Sequence, residues 1–203
     1  MNQSWILFYL EKNNIVAKVK SLQWSKLKAR LSSFICLKLM GRIDIHATVY
    51  RKFHDRPSRV WITLDKEEIF NASDIRYALE HEKLYIQLKK ENKLATITYH
   101  PNWKMMFDSP ERKDLVDASN RAEQLMIEQS IFESFHLYEA FIKYCSLSME
   151  EALTSEDIII QAFSMFDRRL GKRRLEKLSI SEETHPLMRQ FYRIRCEVEG
   201  IKF

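Results

Sequence analysis

From Trp24 onward, apolar residues recur at Trp24, Leu27, Leu31, Phe34, Ile35 and Leu39, the three-and-four spacing that turns one face of a helix toward a core. Gly41 is a natural stop for that helix, since a residue without a Cβ closes a helix in the left-handed region at little cost. The period then changes to two. Ile43, Ile45, Ala47 and Val49 alternate with Asp44, His46, Thr48 and Tyr50, which predicts a strand over about 42–53 with one wet face. A second strand is predicted over about 58–66, with Val60, Ile62 and Leu64 on its apolar face.

The apolar positions are odd-numbered in the first strand and even-numbered in the second, so paired residue numbers in a hairpin must sum to an odd value. The sum 111 leaves a four-residue loop, His54 to Pro57, and pairs Val49 with Ile62 and Ala47 with Leu64. On the other face it sets Tyr50 against Trp61, Thr48 against Thr63, His46 against Asp65, and Asp44 against Glu67.

Beyond the hairpin, Asn71 or Ser73 is a candidate N-cap for a helix carrying Ile75, Leu79, Tyr85, Ile86 and Leu88 to about Lys90. Leu94–Tyr99 predicts another short strand. From Pro110 the pattern is helical throughout, with Ala118, Ala122, Leu125, Met126, Phe132, Phe135 and Ile142 on one long helix ending near Cys145. Ser148 with Glu151, and Thr154 with Asp157, have the spacing of capping boxes. A weak echo at an offset of 28 aligns Ile159, Phe163 and Phe166 with Leu187, Phe191 and Ile194, which fits a pair of packed helices better than a repeat array. The fold class that follows is α+β: a leading helix and a small antiparallel sheet, then a mainly α-helical C-terminal half.

Composition supports packed, helix-rich structure: 203 residues, 45% hydrophobic, with only three Gly and four Pro. That length fits a single domain over 1–203, organised as an N-terminal extension (1–22), an α+β lobe (23–104) and a helical lobe (105–203). The run Trp5 to Leu10 is far short of the roughly 20 residues of a membrane span, so no membrane association is expected. Cys36, Cys145 and Cys196 lie far apart without metal-ligand spacing. They predict buried, reduced thiols in a cytoplasmic protein. The net charge of +5 is uneven: residues 1–104 carry 19 Lys/Arg against 10 Asp/Glu, and residues 105–203 carry 14 against 18. Such a field steers an anionic partner toward the front half.

Three blocks occur together: WSKLKARL at Trp24–Leu31, GRIDIHATVYRKFHD at Gly41–Asp55, and DRRLGKRRL at Asp167–Leu175 followed by HPLMRQFYRIRCEVEG. In them the chain resembles a bacterial family of conserved cytoplasmic proteins of unassigned function. The resemblance covers the chain from Trp24 onward and implies a bacterial, cytosolic setting. It carries no functional residues with it.

The densest chemistry is the cationic run Arg168, Arg169, Lys172, Arg173 and Arg174, the candidate binding residues. On a continuous helix Arg169, Lys172 and Arg173 share a face and suit an anion. The same residues also suit a helix C-terminus with Asp167 or Glu176 as ion-pair partners. The polar hairpin face offers His46 beside Asp65 as an acid/base pair, the carboxylate fixing the imidazole tautomer. Tyr50 and Trp61, with Lys52 and Arg59, suggest either a base-stacking platform or cross-strand packing. No phosphate loop, dinucleotide fingerprint, zinc-protease helix, nucleophile elbow or calcium loop is present, so no cofactor, metal or catalytic residue is assigned. The leading expectation is a non-catalytic binding or adaptor protein that engages an anionic partner, protein or nucleic acid, through a basic surface. The alternative is an enzyme using the face around His46 and Asp65.

Overall fold

The computed structural model describes residues 23–49 and 57–202. Residues 1–22 and 50–56, and so the extension, the hairpin loop up to Arg56 and Tyr50, lie outside the described residues, while Trp61, expected opposite Tyr50, pairs with His46. Helix α1 (Trp24–Ser32) buries Leu27 and Leu31. It ends earlier than its periodicity predicts, because tight turns take over at 33–42 and Ile35 instead forms an antiparallel bridge with Asp167. Gly41, at φ 79°, closes those turns.

Three antiparallel strands follow in the order β1 (Ile43–Val49), β2 (Pro57–Leu64) and β3 (Glu67–Ser73). The odd-sum parity holds along the regular ladder, where Ile43 faces Leu64, Ile45 faces Ile62 and His46 faces Trp61. The register itself differs from the predicted one: the pairs sum to 107 rather than 111, and an irregularity after Thr48 sets Val49 opposite Pro57. Parity excludes only even sums, and Asp65 is not a strand residue at all. Asp65 and Lys66 both have positive φ, 51° and 74°, and form the two-residue turn into β3. β3 has no counterpart among the predicted strands, since its turn lacks the Asn-Gly or Asp-Gly signature, although Phe70 and Ala72 alternate inward as a strand should.

The remaining helices are α2 (Asp74–Glu91), α3 (Trp103–Phe107), α4 (Pro110–Glu128), α5 (Ser134–Tyr144), α6 (Met149–Leu153), α7 (Ile158–Phe163), α8 (Lys172–Leu175) and α9 (Pro186–Glu199). Residues 94–99 form no strand. The single long helix expected over 110–145 is two. Ser130 takes a left-handed conformation at φ 59°, and Glu133 starts α5 through a capping box with His136. The Ser148–Glu151 capping box is present. Thr154 does not form one; Asp157 caps α7 by itself, accepting from the amides of Ile159 and Ile160.

One hydrophobic cluster joins both halves of the chain. The inner sheet residues Ile43, Ile45, Val60, Ile62, Phe70 and Ala72 are continuous with Leu137 and Phe141 of α5, Phe163 of α7 and Phe191 of α9. α7 and α9 pack together as the echo suggests, with Phe166 stacked on Phe191 at 4.4 Å. α2 is the exception: it packs on α4 and has no buried residue. Its inward side is held by polar and aromatic contacts. Asp74 accepts hydrogen bonds from the Ser134 amide (3.0 Å) and hydroxyl (2.6 Å), and His81 lies 3.2 Å from the Ser119 hydroxyl. Tyr77 stacks on His81 and meets His136 edge-on; burial, with Glu123 and Glu133 nearby, pushes its phenol up to about 12.

Candidate binding surface

The cationic run is not one helix. A 3-10 turn (Ser164–Phe166) and an extended Asp167 precede it, and Gly171 starts α8, so Arg169 does not share a helical face with Lys172 and Arg173. Asp167 is fully buried, and its carboxylate receives the Tyr144 hydroxyl, the Arg169 backbone amide (2.7 Å) and the Arg169 guanidinium through Nε (3.0 Å) and Nη2 (2.7 Å). The guanidinium also donates to the Leu147 carbonyl at 2.7 Å and lies over the Phe34 ring. Its pKa is raised, chiefly by the hydrogen bond to Asp167. Burial, reinforced by Asp167, pushes the Tyr144 phenol far above its ordinary value.

A buried guanidinium from α9 fixes the same loop. Arg195 donates to the carbonyls of Met165, Asp167 and Leu170. The backbone is tied on its other side by Cys36 N to Phe166 O (2.8 Å) and Arg168 N to Phe34 O (2.7 Å). Of the other cations, Lys172 donates to the Glu199 carbonyl and Arg174 pairs with Glu150 at 3.1 Å. Arg168 and Arg173 are exposed. The run is therefore a rigid platform whose centre is spent on the fold and whose rim faces water.

On the outer sheet face, His46 and Asp65 are not neighbours. Asp65 is held by Arg42 through Nε (2.9 Å) and Nη2 (2.5 Å), and that hydrogen bond keeps its carboxyl below the usual range. His46 Nε2 lies 3.0 Å from the Thr63 hydroxyl and 3.6 Å from Asp44. Burial alone would raise the Asp44 carboxyl; hydrogen bonds from Lys28 and the Ile45 amide outweigh it and lower the pKa. Trp61 stacks with the His46 ring at 5.1 Å and lies under Arg59 at 4.8 Å. The face is a packed ladder rather than an open stacking platform, with Arg59 also paired to Glu68.

A third surface is one that the sequence does not single out. α2 points Ile75, Leu79 and Ile86 into solvent, 72%, 68% and 54% exposed. Their spacing of four and seven places them in one stripe, opposite the side that meets α4. The following connection adds exposed Tyr99, Trp103, Met105 and Phe107. The one signal in the sequence is a mismatch: α2 carries apolar residues around more of its circumference than one buried face requires.

Among the described residues, no group of three or more His, Cys, Asp or Glu is placed to hold a metal ion, and no helix is long and apolar enough to cross a membrane. Cys36, Cys145 and Cys196 are buried and unpaired. No curated protein and no solved structure matches the chain. The model of one family does match, over residues 23–196, a span that holds the sheet, the cationic platform and α2. On that match the chain belongs to the SF0329 protein family.

Proposed function

We propose that this chain is a non-catalytic binding or adaptor protein that engages an anionic protein partner through a basic surface, and that the outward face of α2 is part of that surface. The observation that carries the reading is the exposure of Ile75, Leu79 and Ile86 on one stripe of an 18-residue helix none of whose residues is fully buried. Scattered apolar residues on a surface need no explanation, but an aligned set on an otherwise charged helix marks an interaction site. Burying each such side chain contributes about 1.5–3 kcal/mol. The stripe is flanked by cations, in keeping with the excess of Lys and Arg in the front half of the chain. The buried unpaired thiols and the family resemblance support a bacterial, cytoplasmic setting.

A photo-reactive residue at position 79, with a control at exposed Glu183, tests the reading in native lysate treated with nuclease. A discrete protein adduct is expected at 79 and not at 183. Adducts of equal yield at both positions, or adducts that disappear with nuclease, would overturn it.

A further inference from the structure

Three cations, Arg76, Lys83 and Lys90, run beside the apolar stripe of α2 at a spacing of seven residues. An α-helix drifts by only about 20° over seven residues, so the three lie in a row along one flank of Ile75, Leu79 and Ile86, successive charges about 10 Å apart. All three are exposed. Lys83 has a loose, exposed ion pair with Glu80 at 3.4 Å, which contributes little. The face is thus an apolar seam, interrupted by Glu82, with a cationic edge.

From this arrangement we infer that α2 docks an amphipathic helix whose apolar stripe is edged by acidic residues at the same seven-residue interval. The inference rests on the protein-binding reading of α2 and names the chemistry of its partner. A helix fits because seven of its residues rise about 10 Å and return a side chain to nearly the same direction. In an extended peptide three residues cover that rise, and the third points to the opposite face. Nucleic acid would satisfy the cations but leave the aliphatic side chains without apolar cover. Glu82, which lies within the stripe, opposes an anionic membrane surface.

A second copy of this chain fits poorly. Pairing two α2 helices antiparallel brings the cationic edges face to face, and like charges along such a seam disfavour association. Residues 1–22 have the wrong sign as well, with three Lys and one Glu.

The test uses the full chain and two fluorescein-labelled synthetic helical peptides. Both carry Leu or Ile at i, i+4 and i+11. One has Glu at three flanking positions spaced by seven, and the other has Lys there. In fluorescence anisotropy at low salt, the Glu peptide should bind at least about ten-fold more tightly than the Lys peptide, with an advantage that shrinks as salt rises. Lys83→Glu should reverse part of that preference, about five-fold, and Leu79→Gln should remove binding of both peptides. Both residues are exposed, so melting temperatures should match the parent and keep the comparison valid. Equal binding of the two peptides would overturn the acidic-partner inference and leave docking at α2 standing. Binding of neither peptide, with a position-79 adduct still formed in lysate, would overturn the helical-partner inference alone. Sedimentation as a dimer that Leu79→Gln converts to monomer would make a second copy the occupant and overturn it too.

Discussion

Replacing Asp167 with Ala should destabilise the fold more than any other single change in the cationic run. The carboxylate is fully buried and receives Tyr144, the Arg169 amide and a bidentate guanidinium. Removing one member of a buried ion pair costs about 3–5 kcal/mol. Here the figure falls at the low end, because the Arg169 side chain is 31% exposed and can turn toward water while keeping the Leu147 carbonyl. The stranded Tyr144 hydroxyl cannot, and an unsatisfied buried donor costs about 1–3 kcal/mol. A total of about 4–6 kcal/mol lowers the melting temperature of a chain this size by about 8–24 °C. Calorimetry or far-UV circular dichroism would read it. The double variant Asp167→Ala/Arg169→Met should recover part of the loss, since an apolar replacement of both partners removes the uncompensated charge. An Asp167→Ala melting within about 2 °C of the parent, or a double variant less stable than the single, would refute the account.

Other consequences follow from the same geometry. Arg168→Gln/Arg173→Gln should leave the melting temperature unchanged within error, whereas Arg169→Gln/Lys172→Gln/Arg173→Gln should lower it measurably, because only Arg169 is tied to a buried carboxylate. The phenols of Tyr77 and Tyr192 are held up at about 12, chiefly by burial, and that of Tyr144 is raised further in the same direction, against about 10 in an unfolded chain. Their folded values exceed the unfolded ones, so stability is intact below about pH 10 and declines as pH rises from about 10 through about 12. Ultraviolet titration of tyrosinate absorbance should show these tyrosines ionising late and together with unfolding. Gly200→Ala should cost about 1 kcal/mol in urea denaturation, since Gly200 ends α9 at φ 66°, a left-handed conformation that strains any Cβ even though the space around it is open. Thiol titration without reductant should find three reactive cysteines after denaturation and markedly slower reaction before it, since all three are buried.

The parts of the fold that are legible in the sequence are those where one local period dominates. The extent of α2 follows from its periodicity to within a residue or so at each end, and the inward sets Ile43/Ile45 and Val60/Ile62 follow from alternation alone. What the sequence conceals depends on contacts between distant residues. Parity allows several registers, and the one adopted brings Arg42 to Asp65 in the turn after β2, a pairing that no alternation reveals. At the break between α4 and α5 the Ser134 amide donates to Asp74, 60 residues away, while helical periodicity runs through the gap undisturbed.

The same division explains why the sequence draws attention to one group of cations before the other. Five positive charges in seven positions stand out because density is a local property, yet only Arg169 among them neutralises the buried Asp167. Arg76, Lys83 and Lys90 are diluted among Glu80, Glu82 and Glu91 and look like an ordinary solvated helix. They become a feature only when the helix winds them into a row beside three aliphatic side chains that the fold leaves uncovered. Row and stripe together run over a length of about 20 Å, so the arrangement that α2 offers for recognition is set by helical geometry and not by the local concentration of charge.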